Sequence, residues 1–121
     1  MAFPIGNTLV SYVQMGNKIL VTIDHTGPAN YQQSVGDVIN ASDLGVGGFE
    51  MVNNSADTTT QFEGYAELSS GGYGNVVSSF ELSWFALMTA TIGGQAQTLG
   101  TEAVNGTNLS TFSMRLQLWC V

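Results

Sequence analysis

The sequence predicts an all-β fold: an antiparallel β-sandwich of about eight strands, with a jelly roll among the forms it allows, preceded by an extended N-terminal arm. Three observations lead there. No stretch of ten or more residues carries apolar side chains at helical spacing, whereas period-two alternation recurs along the chain. Turn residues separate the alternating runs at regular intervals. The 15 glycines in 121 residues suit a fold with many turns.

Residues 1–8 read as the arm and residues 9–121 as a single domain. Pro4 and Gly6 disfavour regular structure in the arm, while Phe3 and Ile5 would need a partner surface. Lys18 to His25 is β-branched and apolar and stops at Thr26-Gly27-Pro28. Residues 26–44 read as loop, with one helical turn near Asn40-Ala41-Ser42-Asp43-Leu44. Asn40 or Ser42 would cap it and Gly45 would stop it. Gly47 to Asn53 reads as a short strand. Thr59 to Leu68 reads as another, carrying Phe62 and Tyr65, with Gly64 as a bulge.

The clearest strand follows Gly74. Phe80, Leu82, Trp84, Ala86 and Met88 alternate with Glu81, Ser83, Phe85, Leu87 and Thr89. Both sets turn apolar from Trp84 to Met88, which predicts cover on both faces there, up to a stop at Gly93-Gly94. Gln97 to Val104 is a weaker strand. The last strand, Leu109 to Val121, sends Phe112, Met114, Leu116, Leu118 and Cys120 to one side. Ser113, Arg115, Gln117 and Trp119 go to the other.

Charge is scarce. Two cations and nine carboxylates give a net charge of −7, and charged residues are 9% of the chain. An ordinary soluble domain carries about 25%. Apolar residues, at 44%, are close to average, so the chain is not a disordered acidic tail. Two cations cannot neutralise a run of phosphates, which excludes nucleic acid as an expected partner. A net negative chain is repelled by anionic lipid, so no membrane partner is expected either. The first residues lack the basic and apolar regions of a signal peptide. A sparsely charged surface suits contact with other protein surfaces.

No pattern of catalytic residues stands out, so the chain reads as a non-enzyme without cofactor or metal. The single imidazole, His25, would pair with Asp24, Asp37 or Cys120 in a catalytic reading, but a turn-capping role at a strand end is favoured. Asp24, Asp37 and Asp43, with Asn30 and Asn40, could line a calcium site, although no EF-hand spacing is present, and turn formation is the plainer role. Glu63, Glu67 and Glu81 offer only the bare ingredients of a glycosidase pair. Cys120 is the one cysteine, so no intrachain disulfide forms. Tyr31, Tyr65, Tyr73, Trp84 and Trp119 raise a sugar-binding reading, since sugars stack on rings. An interface reading is favoured, with Trp84 in the core and Phe3, Ile5, Tyr31 and Trp119 as the contact residues.

Several stretches resemble the small head-decoration (cement) proteins of tailed bacteriophages. They are Val21-Thr-Ile-Asp-His-Thr-Gly-Pro-Ala-Asn-Tyr31, Gly36-Asp-Val-Ile-Asn-Ala41, and Asn105-Gly-Thr-Asn-Leu-Ser110 leading into Met114-Arg115-Leu116. They are loops and turns and transfer no residue role. The resemblance implies a structural virion protein on the outside of the capsid, with the major capsid protein as partner, made in the host cytoplasm. It also implies a homo-oligomer, a trimer being favoured over a dimer. The competing reading is a carbohydrate- or receptor-binding β-sandwich of a fibre.

Overall fold

The computed structural model describes residues 6–57, 61–67 and 76–121. The all-β expectation holds. Among the described residues nine strands run β1 (Asn7–Met15), β2 (Lys18–Thr26), β3 (Asp37–Asn40), β4 (Phe49–Asp57), β5 (Phe62–Glu67), β6 (Ser79–Ala86), β7 (Ala90–Ile92), β8 (Gln95–Gln97) and β9 (Ser113–Cys120). One sheet has the order β1-β2-β9-β4 and a second β3-β6-β5; β7 and β8 form a separate hairpin. All pairs within named strands are antiparallel.

The alternation in the last strand is reproduced side chain by side chain. Met114, Leu116, Leu118 and Cys120 are wholly buried and face Val21 and Ile23 across the β2–β9 ladder. The second sheet answers with Ile39, Phe80, Leu82, Trp84 and Phe62, and both sets belong to one core. Edge-to-face ring pairs knit it: Phe49 on Phe80 at 5.0 Å and Phe62 on Phe112 at 5.1 Å between centroids. The turn near residue 40 is a 3-10 turn, Ala41–Leu44, entered from Asn40 and closed by Gly45 at φ 71°. Asn40 caps it by position only: its side chain makes no cap bond and reaches Asp43 Oδ2 instead.

Elsewhere the chain departs from the sequence expectation. Asn7 and Thr8, placed in the arm, stand in β1, which pairs with β2 along its length. Met15 pairs with Lys18 and leaves Gly16-Asn17 as a two-residue turn, with Gly16 at φ 63°. Residues 1–5, including Phe3 and Ile5, lie outside the described residues, as does Tyr73. The expected long loop contains β3, which borders β6. Gly64 is no bulge, for the β5–β6 register runs unbroken through Gly64↔Trp84. Its missing side chain makes room for the Met114 thioether of the other sheet, which a Cβ would strike. Strand β6 ends at Ala86 instead of running to Gly93, and Leu87 and Met88 are exposed, so the strand has no second cover there. The backbone turns away as Ala86 N–H donates to Thr101 and Leu87 N–H to Gln61. Gly93-Gly94, both at positive φ, form the β7–β8 turn. Of the run Gln97 to Val104 only Gln97 stands in a strand, as the last residue of β8, because Thr98 to Thr101 closes a turn around Gly100, and Glu102 makes a single bridge to Phe85.

Gly27 marks the tightest backbone approach at the end of β2. A Cβ there would lie 2.5 Å from Leu109 Cβ and 2.8 Å from the Leu109 carbonyl oxygen. Gly27→Ala is expected to lower stability by about 1–3 kcal/mol, as overpacking in a closed core does. Urea denaturation monitored by tryptophan fluorescence checks this, and a change within 0.5 kcal/mol, about the size of an ordinary surface substitution, would contradict it.

Candidate interaction face

The four-stranded sheet has an inner face in the core and an outer face. Direct pairing places Val13, Leu20, Trp119 and Met51 in one row across all four strands of the outer face. Val13 is 46% and Met51 55% exposed, while Leu20 and Trp119 between them are half-buried. The next row, Ser11, Thr22, Gln117 and Asn53, is polar and uncharged. Beyond it Arg115 forms a two-pronged bond with Asp24, at 2.8 and 3.0 Å. That hydrogen bond, and then the guanidinium's charge, hold the Asp24 carboxyl below its ordinary range. On the other flank Lys18 pairs with Glu50.

Both cations of the chain are thus neutralised on this sheet. Asp24 and Glu50 pair with them, so the net charge of −7 rests on the other seven carboxylates, of which Asp57 ends β4 of this same sheet. Much of it belongs to the second sheet, where Glu63 and Glu81 are exposed and Glu67 stands opposite Glu81 in the ladder. One sheet therefore presents a neutral outer face with an apolar row, and the other is acidic.

Of the residues proposed for contact, Trp119 falls in the row. Tyr31 does not reach the surface at all. It is wholly buried, its hydroxyl donating to Glu102 at 2.5 Å and accepting from the Trp84 backbone N–H at 3.3 Å. A phenol with both polar needs met inside offers a partner nothing. Val13, Leu20 and Met51 were not foreseen. The signal was present in Gly16-Asn17, a turn between two β-rich runs, which puts Val13 opposite Leu20.

Hydrogen bonds occupy several of the titratable groups singled out in the sequence. His25 takes Asp37 from its three potential partners, Nε2 lying 2.6 Å from Oδ2. Its Nδ1 lies 2.7 Å from Asn7 Oδ1, so both ring nitrogens are occupied. The Trp84 indole N–H donates to the same Asp37 Oδ2 at 3.1 Å. A pocket of about 500 Å³ opens beside this cluster, lined in part by Asp43, Thr26 and Ser110. Asp37 and Asp43 both line this pocket, whereas Asp24 pairs with Arg115 on the outer face of the other sheet. Among the described residues no three His, Cys, Asp or Glu side chains are grouped to hold a metal ion. Nor is any helix among them long and apolar enough to cross a membrane. Cys120 is buried, and burial pushes its thiol up to about 11.

Comparison with protein-family models, curated proteins and solved structures found no match.

Two outcomes are expected. His25→Ala removes one of the two partners of the buried Asp37 Oδ2 and should cost about 1–3 kcal/mol in urea denaturation, as leaving a buried polar group short of a partner does. A loss below 1 kcal/mol would show that the pair carries no weight. The alkaline limb follows from Cys120 and from Tyr31, whose phenol is raised by burial and by the Glu102 hydrogen bond. Both groups hold their protons more tightly folded than unfolded. The Cys120 contribution is complete below the ordinary thiol value of 9.0 and is lost as pH rises towards about 11, while that of Tyr31 starts to fall only above its ordinary value of 10.0 and keeps falling beyond that window. The thermal midpoint should fall steadily over that window, and a flat profile would contradict it.

Proposed function

We propose that the chain is a structural assembly protein, a decoration protein on the exterior of a tailed-phage head that binds the major capsid protein and stabilises the shell. The observation that carries this reading is the neutral outer face crossed by the Val13–Leu20–Trp119–Met51 row. Apolar and aromatic side chains ringed by uncharged amides and hydroxyls have the make-up of a wet protein–protein contact. Docking through that face leaves the acidic second sheet towards solvent. Each contact can be modest, because a shell repeats it many times. The occupied nitrogens of His25 favour a structural role over a catalytic one. The phage assignment itself rests on the loop resemblance.

A second reading has one feature in its favour. Tyr65, 58% exposed, lines a cleft of about 340 Å³ with Phe85 and Glu63 on the second sheet. Rings beside a carboxylate can hold a sugar, and signal on a glycan array that Tyr65→Ala removes would support that reading.

Particles lacking the protein should lose resistance to heat, and adding it back should restore them. Trp119→Ala should weaken binding to bare particles about 30-fold, the loss expected of an aromatic anchor. Unchanged heat resistance together with no density for the chain in a particle map would sink the proposal.

A further inference from the structure

The two edges of the four-stranded sheet are built differently. Strand β4 carries Glu50 and Asp57, and its ladder with β9 is broken by two register shifts, one between Phe49 and Met51 and one between Asn54 and Ala56. Its first residue is also tied to Val77 by bonds in both directions. Charges, bulges and cover are the usual guards against an edge pairing with a stranger. Strand β1 has one register shift, between Leu9 and Ser11, and no charged residue from Asn7 to Met15. Among the described residues its sole neighbouring strand is β2. Leu9, Val10, Tyr12, Val13 and Met15 are each more than two-fifths exposed, on both faces of the strand.

The stretch Ser11–Met15 is therefore an uncharged edge with three exposed apolar side chains, Tyr12, Val13 and Met15. A two-residue hairpin closes on a hydrogen-bonded pair, here Met15 and Lys18, and such pairs recur at every second residue. Val13 and Ser11 thus bond inward to β2, while Tyr12 and Gln14 turn their backbone N–H and C=O groups outward.

The geometry points to a two-fold homodimer in which β1 pairs antiparallel with β1 of a second copy, centred on Val13. Tyr12 of one copy then exchanges both backbone bonds with Gln14 of the other, and Val13 faces its own counterpart. The register avoids the shift at Val10. The occupant is a second copy because two chains of charge −7 repel least where they meet through uncharged segments, and β1 carries no charge. A ring built by pairing β1 with β4 of the next copy would have to use the guarded edge, which sets a pair above the trimer expected from the sequence. The faces are preserved across the axis, so the apolar row doubles into one band of eight side chains over an eight-stranded sheet. This inference stands without the capsid reading, since it concerns the isolated chain.

Light scattering after size exclusion should give twice the 12.8 kDa chain mass at 100 μM. Gln14→Pro removes an outward N–H, and Val13→Lys sets like charges face to face; each should run as a monomer with an unchanged near-ultraviolet circular dichroism spectrum. Val13→Cys should form an interchain disulfide under mild oxidation, because opposed residues of a non-hydrogen-bonded pair lie at disulfide distance and Cys120 is buried. A monomeric or trimeric wild type overturns the inference. So does a dimer that both edge variants keep, or one in which Val13→Cys fails to cross-link. A dimer with no affinity for phage shells would leave it intact and count against the capsid reading alone.

Discussion

The buried carboxylate of Asp37 is the constraint around which the two sheets are arranged. Its Oδ2 receives the Trp84 indole N–H from its own sheet and meets the His25 ring from the other. The far side of that ring meets Asn7 on β1. Four strands of two sheets therefore converge on one acid. A charge taken out of water is tolerated only when its partners are complete, so any sliding of one sheet over the other would leave it exposed to a large desolvation cost. Apolar packing alone is less selective. Met114 under Gly64 is one close fit between the sheets that the same placement allows. The same completeness explains why the only histidine is a tie between sheets.

The sequence was most legible where a strand has one wet and one dry face. The Met114-to-Cys120 alternation is the plainest case, because burial differs at every step. The turn at Asn40 to Gly45 was legible for a local reason, a glycine in left-handed conformation at its end. Strand β1 was hidden because the second sheet gives neither of its faces full cover, so burial imposes no alternation on Asn7–Met15. Strand β3 was hidden because the core position opposite Leu82 holds Asp37, a residue that signals a loop unless its partners are known. Those partners lie 12 and 47 residues away. Tyr31 was misplaced for the same reason, since its hydroxyl is satisfied by Glu102, 71 residues on. Trp119 alone among the proposed contact residues could be placed on a face, because its neighbours in sequence alternate cleanly.

Scarcity of charge also has a shape that composition conceals. The two cations sit on one sheet, each matched to a carboxylate, whereas the exposed Glu63 and Glu81 lie on the other. Surface ion pairs of this kind add little stability. Their effect is to make the outer face neutral as well as apolar along one row, without leaving it bare of hydrogen-bonding groups.

That placement bears on how closely copies can crowd. Facing sheets stand about 10 Å apart, and at physiological ionic strength screening acts over about 8 Å. Acids on the second sheet are thus roughly one screening length behind any surface that docks through the first. Repulsion between neighbouring copies, or between a copy and an acidic support, is already weakened at contact through the Trp119 row, whereas contact through Glu63 and Glu81 would bring like charges together unscreened. Electrostatics therefore selects the same face that the apolar row does. The two criteria are independent, one set by where carboxylates are absent and the other by which side chains pair across β1, β2, β9 and β4.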